Sequence, residues 1–289
     1  MTESNCNHYS KNSNTLEALR SQRDMEGRPP DVRRAGRPLG LSTGHISPFG
    51  SVEFYKGGSL VVAKRAKICT VNSGGGIRGY IQEFSRKARR RLMQKVSMTK
   101  RDLIPMFVTL TYPSEYPSDA REWKRHLDVF DKRLRRKFPK VGYFWKLEPQ
   151  KRGAPHYHLM VWGVEYLELF MFVAGTWYEV VNSGDEKHLR AGTRVEMVRS
   201  WRGVMAYASK YLGKVQDLPA GWNYPGRFWG CRGAIPWAEL ISKSVTDREA
   251  ARFMRYMRRF MRAQARQYKT LSMFAASDFW YERFERLII

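Results

Sequence analysis

The chain has 289 residues, with 52 Lys and Arg against 27 Asp and Glu, a net charge of +25 and a pI near 10.2. That length allows one large domain with appendages, and that charge favours a polyanionic partner, nucleic acid before an anionic membrane surface. No run of 18 apolar residues occurs, which excludes an encoded transmembrane span, and the opening MTESNCNHYSKNSN lacks the apolar core of a secretory signal. Cys6, Cys69 and Cys231 are sparse, odd in number and without C-x-x-C spacing, which points to a reducing compartment and against a disulfide framework or a thiolate zinc site.

Residues 1–55 are rich in Ser, Asn, Arg, Gly and Pro and read as a disordered or loosely ordered leader. Ser59 to Ala63 reads as a short strand, and Asn72 to Gly76 as a flexible joint. Over 79–98 the apolar positions Ile81, Phe84, Ala88, Leu92 and Val96 recur at helical spacing under an arginine-rich outer face. Pro105 to Tyr112 is the next predicted strand. A helix capped by Ser118 then runs to Phe138, with Trp123, Leu127, Phe130 and Leu134 inward.

Tyr143 to Glu148 and His156 to Trp162 read as strands joined by the turn PQKRGAP. A helix over 165–181 follows, with Leu169, Phe170, Val173, Trp177 and Val180 inward. Arg194 to Val198 is a fourth strand. Ser200 then caps a helix that runs through Leu212 and ends at Gly213. The order β-α-β-β-α-β, then α, predicts an α+β fold of the ferredoxin-like split β-α-β type. It has a central antiparallel sheet, a tyrosine-bearing helix packed beside it and a basic helical C-terminal extension. Beyond it come a Gly/Pro/Trp-rich loop over 218–237, a basic helix over about 247–268 and an aromatic terminus. The expected division is a leader over 1–55, a core domain over 56–215 and a basic, aromatic-rich extension over 216–289.

Three short segments carry chemistry. In Pro155-His156-Tyr157-His158 the strand alternation turns both imidazoles to one face, where they are able to chelate one cation. A hairpin with its turn at 149–155 sets Glu148 beside His156. A His-His-Glu set suits Mg2+ or Mn2+ with open positions for phosphate oxygens, though an isolated H-x-H is more often two ordinary histidines. In Tyr207-Ala208-Ser209-Lys210-Tyr211-Leu212-Gly213-Lys214, helical spacing gathers Tyr207, Lys210, Tyr211 and Lys214 into one stripe. A free phenol is a poor nucleophile at neutral pH; adjacent lysines favour the phenolate, and attack on a DNA phosphate gives a phosphotyrosine that conserves the bond. On the first strand Thr109 and Thr111 share a face with Phe107, where their hydroxyls are able to contact phosphate or orient ligands.

Along the tail, Arg248, Arg252, Arg255, Arg259, Arg262 and Arg266 recur in steps of four and three, a stripe suited to tracking phosphates. Phe253, Met257, Phe260, Met261 and Gln264 form the opposite face. Trp222, Phe228, Trp229 and Trp237 are able to stack bases or to fill core. No G-x-x-x-x-G-K-[ST] segment occurs, so no P-loop nucleotide site is expected.

Taken together, FVTLTYP, EPQKRGAPHYHLMVWG and YASKYLGK resemble the three motifs of HUH endonucleases, in particular the two-tyrosine rolling-circle replication initiators of phages and plasmids. The resemblance covers residues 104–215 and extends to the Gly-Arg-Phe-Trp-Gly stretch at 226–230. It implies origin-specific nicking of single-stranded DNA, a 5′-phosphotyrosine intermediate and a 3′-hydroxyl that primes synthesis in a bacterial cytoplasm. It implies Tyr207 and Tyr211 as nucleophiles, Lys210 as an assisting base or phosphate contact, and His156, His158 and Glu148 as ligands of Mg2+ or Mn2+. It also implies a partner helicase and polymerase, with no nucleotide cofactor and no membrane. A transposase or mobilisation relaxase of the same chemistry, and a non-catalytic basic nucleic-acid-binding protein, fit the same sequence features. Each tyrosine has a lysine three residues on, so local sequence does not separate their roles.

Overall fold

A computed structural model of the chain describes residues 50–65, 80–214, 217–223, 225–260 and 270–274, with single positions at 279, 282, 283 and 286. The leader before Gly50, the glycine joint, Arg262, Arg266 and the tail helix beyond Phe260 lie outside the described residues.

The described elements are β1 (Gly50–Lys56), β2 (Leu60–Arg65), α1 (Arg86–Ser97), β3 (Met106–Thr111), α2 (Ala120–Lys137), β4 (Gly142–Pro149), β5 (Pro155–Trp162), α3 (Tyr166–Val181), α4 (Glu186–Ala191), β6 (Thr193–Met197), α5 (Trp201–Tyr207), β7 (Trp229–Gly233), β8 (Glu239–Val245), α6 (Asp247–Phe260) and β9 (Thr270–Phe274). The fold is α+β. A five-stranded antiparallel sheet has the order β6-β3-β5-β4-β7. Its β6-β3-β5-β4 portion is the split β-α-β arrangement: β3 and β4 run parallel with β5 inserted antiparallel between them.

The two faces of this sheet are covered differently. One carries Tyr157, whose ring meets Trp177 of α3 and whose hydroxyl donates to the Trp123 carbonyl of α2 at 3.0 Å. Trp123, Phe130, Leu127, Leu134 and Trp177 are all at most 1 % exposed, so α2 and α3 seal that face with large aromatic area. The other face carries Phe107, Thr109, Lys146, His156 and His158, and is overlain by α5 and by Phe84 at the entry to α1.

Several expectations are corrected. The first predicted helix begins at Arg86 rather than 79, because Ser85 caps it by accepting from the Ala88 N–H. Asp119, not Ser118, caps α2. Phe170 of α3 is 49 % exposed rather than inward. The expected loop over 218–237 contains β7, which adds an edge to the sheet. That pairing needs two glycines: Gly233 has φ of +72°, and a Cβ at Gly233 or Gly142 would strike the backbone of the opposing chain.

Residues 50–55, placed in the leader, form most of β1. A second antiparallel sheet has the order β8-β1-β2-β9, so it joins the region before residue 65 to strands of the expected C-terminal extension. The boundary drawn at 215/216 is therefore not a boundary in space. α6 lays Ala250, Phe253, Met254 and Met257 over Val52, Phe54, Val61 and Ala63 of this sheet. Arg248, Arg252, Arg255 and Arg259 remain exposed on its outer face. Trp222 and Phe228 are buried, Trp222 against Trp123 at 4.7 Å between ring centroids, so both act as core rather than as free stacking platforms.

Candidate functional site

The β4–β5 hairpin closes through the Gln150 N–H donating to the Ala154 carbonyl, and Gly153 takes the positive φ the turn requires. Its register sets Glu148 opposite His156 and Lys146 opposite His158. On the other side of β5, Thr111 stands opposite His156 and Thr109 opposite His158. Side chains from three strands thus share one face, on which the two imidazole centroids lie 4.5 Å apart.

Hydrogen bonds fix these side chains. His158 Nε2 donates to Glu148 Oε1 at 2.8 Å. The Thr109 hydroxyl lies 3.4 Å from His158 Nδ1, and the Thr111 hydroxyl 3.3 Å from His156 Nδ1. The two threonines, expected as phosphate contacts, are here the partners that orient the histidine rings. Burial pushes the His156 imidazole down to about 4, with His158 adding to the effect, so His156 is neutral at pH 7. For Glu148, burial opposes ionisation, but His158 and Lys146 outweigh it and hold the carboxyl down at about 2.

Lys146 is a functional residue that the motif reading passed over. It is 1 % exposed, and its ammonium donates to Glu148 Oε2 at 2.8 Å, to the Tyr211 carbonyl at 2.9 Å and to the Lys214 carbonyl at 2.7 Å. All three donors are satisfied, two of them by carbonyls left open at the end of a helix. The sequence signal was a single lysine in the apolar run Tyr143-Phe144-Trp145-Lys146-Leu147.

Ser200 caps α5 by accepting from the Gly203 N–H, as predicted. The segment then widens: Ala208–Leu212 is a π-helical turn, closed by the Gly213 N–H bonding the Ala208 carbonyl at 2.7 Å. Such turns are rare, and they recur at functional sites. Tyr207 and Tyr211 both face the sheet, 4.3 Å apart between centroids. Tyr207 stacks on Phe107 at 3.7 Å and its hydroxyl reaches Glu196 Oε2 at 3.4 Å. Burial first, then the Glu196 charge, push its phenol well above the ordinary value. Tyr211 stands 5.1 Å from the His158 ring, with Lys210 Nζ 4.9 Å from its own ring centroid. Lys214 lines an open pocket of about 440 Å³ with Glu148, His156 and Arg152.

The donor set of two imidazoles and a carboxylate, backed by hydroxyls at both Nδ1 atoms, has the chemistry of a hard divalent-metal site. The side chains are not gathered around one point. Among the described residues no group of three or more His, Cys, Asp or Glu side chains stands in position to hold a metal ion. Glu148 is instead engaged by His158 and Lys146. Also among the described residues, no helix is long and apolar enough to cross a membrane.

Residues 105–216, which span β3 through the π-helical turn, match the family model of the replication-associated protein ORF2. The chain is 27 % identical over 185 residues to a Xylella fastidiosa (strain 9a5c) protein named "Putative replication protein", covering 59 % of this chain and 63 % of that one. A protein of the same name from strain Temecula1 is 28 % identical over 172 residues, covering 55 % of this chain and 64 % of its own length. The chain thus covers under two thirds of each of these relatives. The matched segment holds the histidines, the tyrosines, Glu148 and Lys146.

Proposed function

We propose that this protein acts in DNA replication by nicking and rejoining single-stranded origin DNA through a phosphotyrosine intermediate. The observation that carries the reading is the stacking of Tyr211 over His158, in a site whose strand register also supplies Glu148 and His156. Similarity to replication proteins and the charge of +25 support the same assignment.

A divalent ion, Mg2+ or Mn2+, held by His156, His158 and Glu148 would supply Lewis-acid polarisation of the scissile phosphate. The chain's own residues do the rest. The Tyr211 hydroxyl attacks phosphorus and loses its proton as the phosphorus–oxygen bond to Tyr211 forms. The bond to the 3′ oxygen breaks, and that oxygen leaves with the bonding electrons and takes up a proton as a 3′-hydroxyl. Lys210 and Lys214 place positive charge beside the reacting anion. Because the phosphodiester energy is kept in the tyrosine ester, a hydroxyl attacking in reverse rejoins the strand. Tyr207, next to Tyr211, is placed to take the strand in a second transfer. Strand separation and synthesis fall to a helicase and a polymerase supplied by other proteins.

The test is incubation of the full chain with supercoiled origin plasmid and Mn2+ or Mg2+. Nicked circles and a covalent protein–DNA adduct are expected, and both are lost in Tyr207→Phe/Tyr211→Phe and in His156→Ala/His158→Ala. Adduct formation by the double tyrosine variant would refute the nucleophile assignment. Nicking by the double histidine variant would refute the metal assignment. Cleavage confined to transposon ends or transfer origins would move the activity to transposition or mobilisation.

A further inference from the structure

The site above uses the flank of α5 that faces the sheet; another flank of the same segment meets α1. Between them runs a groove of about 550 Å³ lined by Arg86, Arg89 and Arg90 together with Met93, Met205 and Ala206. The arginines are exposed and the two methionines half-buried, so the groove has a cationic rim and an apolar floor.

The charge on α1 is not explained by the stability of the helix. Six of its twelve residues are basic and none is acidic, and no acidic residue sits in its first turn. Cations near a helix N-terminus oppose the macrodipole. Among the described residues no ion pair involves any of these six side chains, whereas α2 offsets its arginines through Glu122–Arg125 and Asp131–Arg135 pairs. Unneutralised arginines on a groove with an apolar floor fit a nucleotide, with phosphate on the rim and base on the floor.

The groove is also continuous with the site. A Cβ on Gly213 would lie 3.3 Å from Arg89 Nε, so Arg89 reaches the end of the tyrosine-bearing segment. The next residue, Lys214, lines the pocket that holds Glu148 and His156. A strand leaving the tyrosines therefore meets arginine on one side and the histidine pocket on the other.

We infer that the α1–α5 groove binds single-stranded DNA next to the scissile phosphate, with backbone phosphates on Arg86, Arg89 and Arg90 and a base against Met93 and Met205. The inference rests on the nicking reading for its substrate, yet it is tested by binding alone.

The experiment is fluorescence anisotropy of the full chain with labelled oligodeoxythymidine across a salt series, without metal. Arg86→Ala/Arg89→Ala/Arg90→Ala is expected to weaken binding by about tenfold or more at low salt and to flatten the log–log salt slope by about 2, since each phosphate contact on a single strand contributes about 0.7. The corresponding triple Lys variant keeps the slope. Met93→Ser/Met205→Ser weakens binding of oligodeoxythymidine but not of an abasic strand. If the triple Ala variant does not fold, Arg86→Ala alone is expected to flatten the slope by about 0.7. An unchanged slope overturns the inference, as does a loss seen only with duplex DNA or only in Arg248→Ala/Arg252→Ala/Arg255→Ala/Arg259→Ala. A wild-type protein that binds through the groove yet forms no adduct would leave the groove standing and remove the nicking reading.

Discussion

Tyr207 and Tyr211 share the same local sequence logic, a tyrosine followed three residues later by a lysine, but their surroundings differ. Tyr207 is wedged between Phe107 and Tyr211 and its hydroxyl is directed to Glu196, which also pairs with Arg194 at 2.8 Å. A phenol beside a carboxylate in a buried setting resists ionisation. Tyr211 lies over His158 and under the charge of Lys210. Tyr211→Phe is therefore expected to lower single-turnover cleavage of a short origin strand by about 10³-fold or more, the scale of removing a nucleophile. Tyr207→Phe is expected to leave that first turnover nearly unchanged and to impair the second transfer, read as unresolved adduct on a gel. Equal loss in both variants in the first turnover would show that the two phenols are interchangeable.

At the scale of elements, the site depends on a helix end held to a strand. Lys146 on β4 joins Glu148 to the carbonyls of Tyr211 and Lys214, so one buried ammonium fixes the tyrosine segment relative to the hairpin. Replacing it by Met leaves a buried carboxylate and two carbonyls without their donor. Removal of one partner from a buried ionic cluster costs about 3–5 kcal/mol. Lys146→Met is expected to lose stability on that scale in urea unfolding, with an unchanged m-value. A cost under about 1 kcal/mol, typical of exposed pairs, would show that the clamp is not formed. The π-helical turn belongs to the same device, since widening the helix over 208–212 sets the two tyrosine rings 4.3 Å apart over the sheet.

Across the whole molecule, two buried titratable groups set the response to acid. His126 is 4 % exposed between Tyr112 and Arg125, and burial, then Arg125, push its imidazole down. A histidine depressed on folding adds stability above its unfolded value of 6.5, and that stability is lost as pH falls and the unfolded chain takes up the proton first. Asp131 ties three elements together, accepting from Arg135 of α2, Tyr143 of β4 and Arg232 of β7. Burial opposes its ionisation, but these donors win and hold it below 3.8, so its contribution is lost only as pH falls below that value. Melting temperature is expected to decline in two stages, first below about pH 6.5 and again below about pH 4. His126→Gln is expected to remove the first stage; its persistence would assign that stage to another group.

The α+β order, the β4–β5 hairpin and the shared face of Glu148, His156 and His158 were legible in the chain, because period-two and helical patterning are local properties that a buried sheet enforces. The Ser200 cap was legible for the same reason. The second sheet was not, since Gly50–Lys56 lies in a polar stretch and gains its partners β2 and β8 only on folding. Nor was β7, whose Gly-Arg-Phe-Trp-Gly surroundings look like a loop until β4 pairs with it. What the chain alone determined was therefore its charge, its α+β class and the residue types at the site. What only tertiary structure decided was the inequality of Tyr207 and Tyr211, the clamp made by Lys146 and the groove beside α1. Those depend on contacts between residues tens of positions apart, such as Lys146 with Tyr211 and Lys214, which no local pattern encodes.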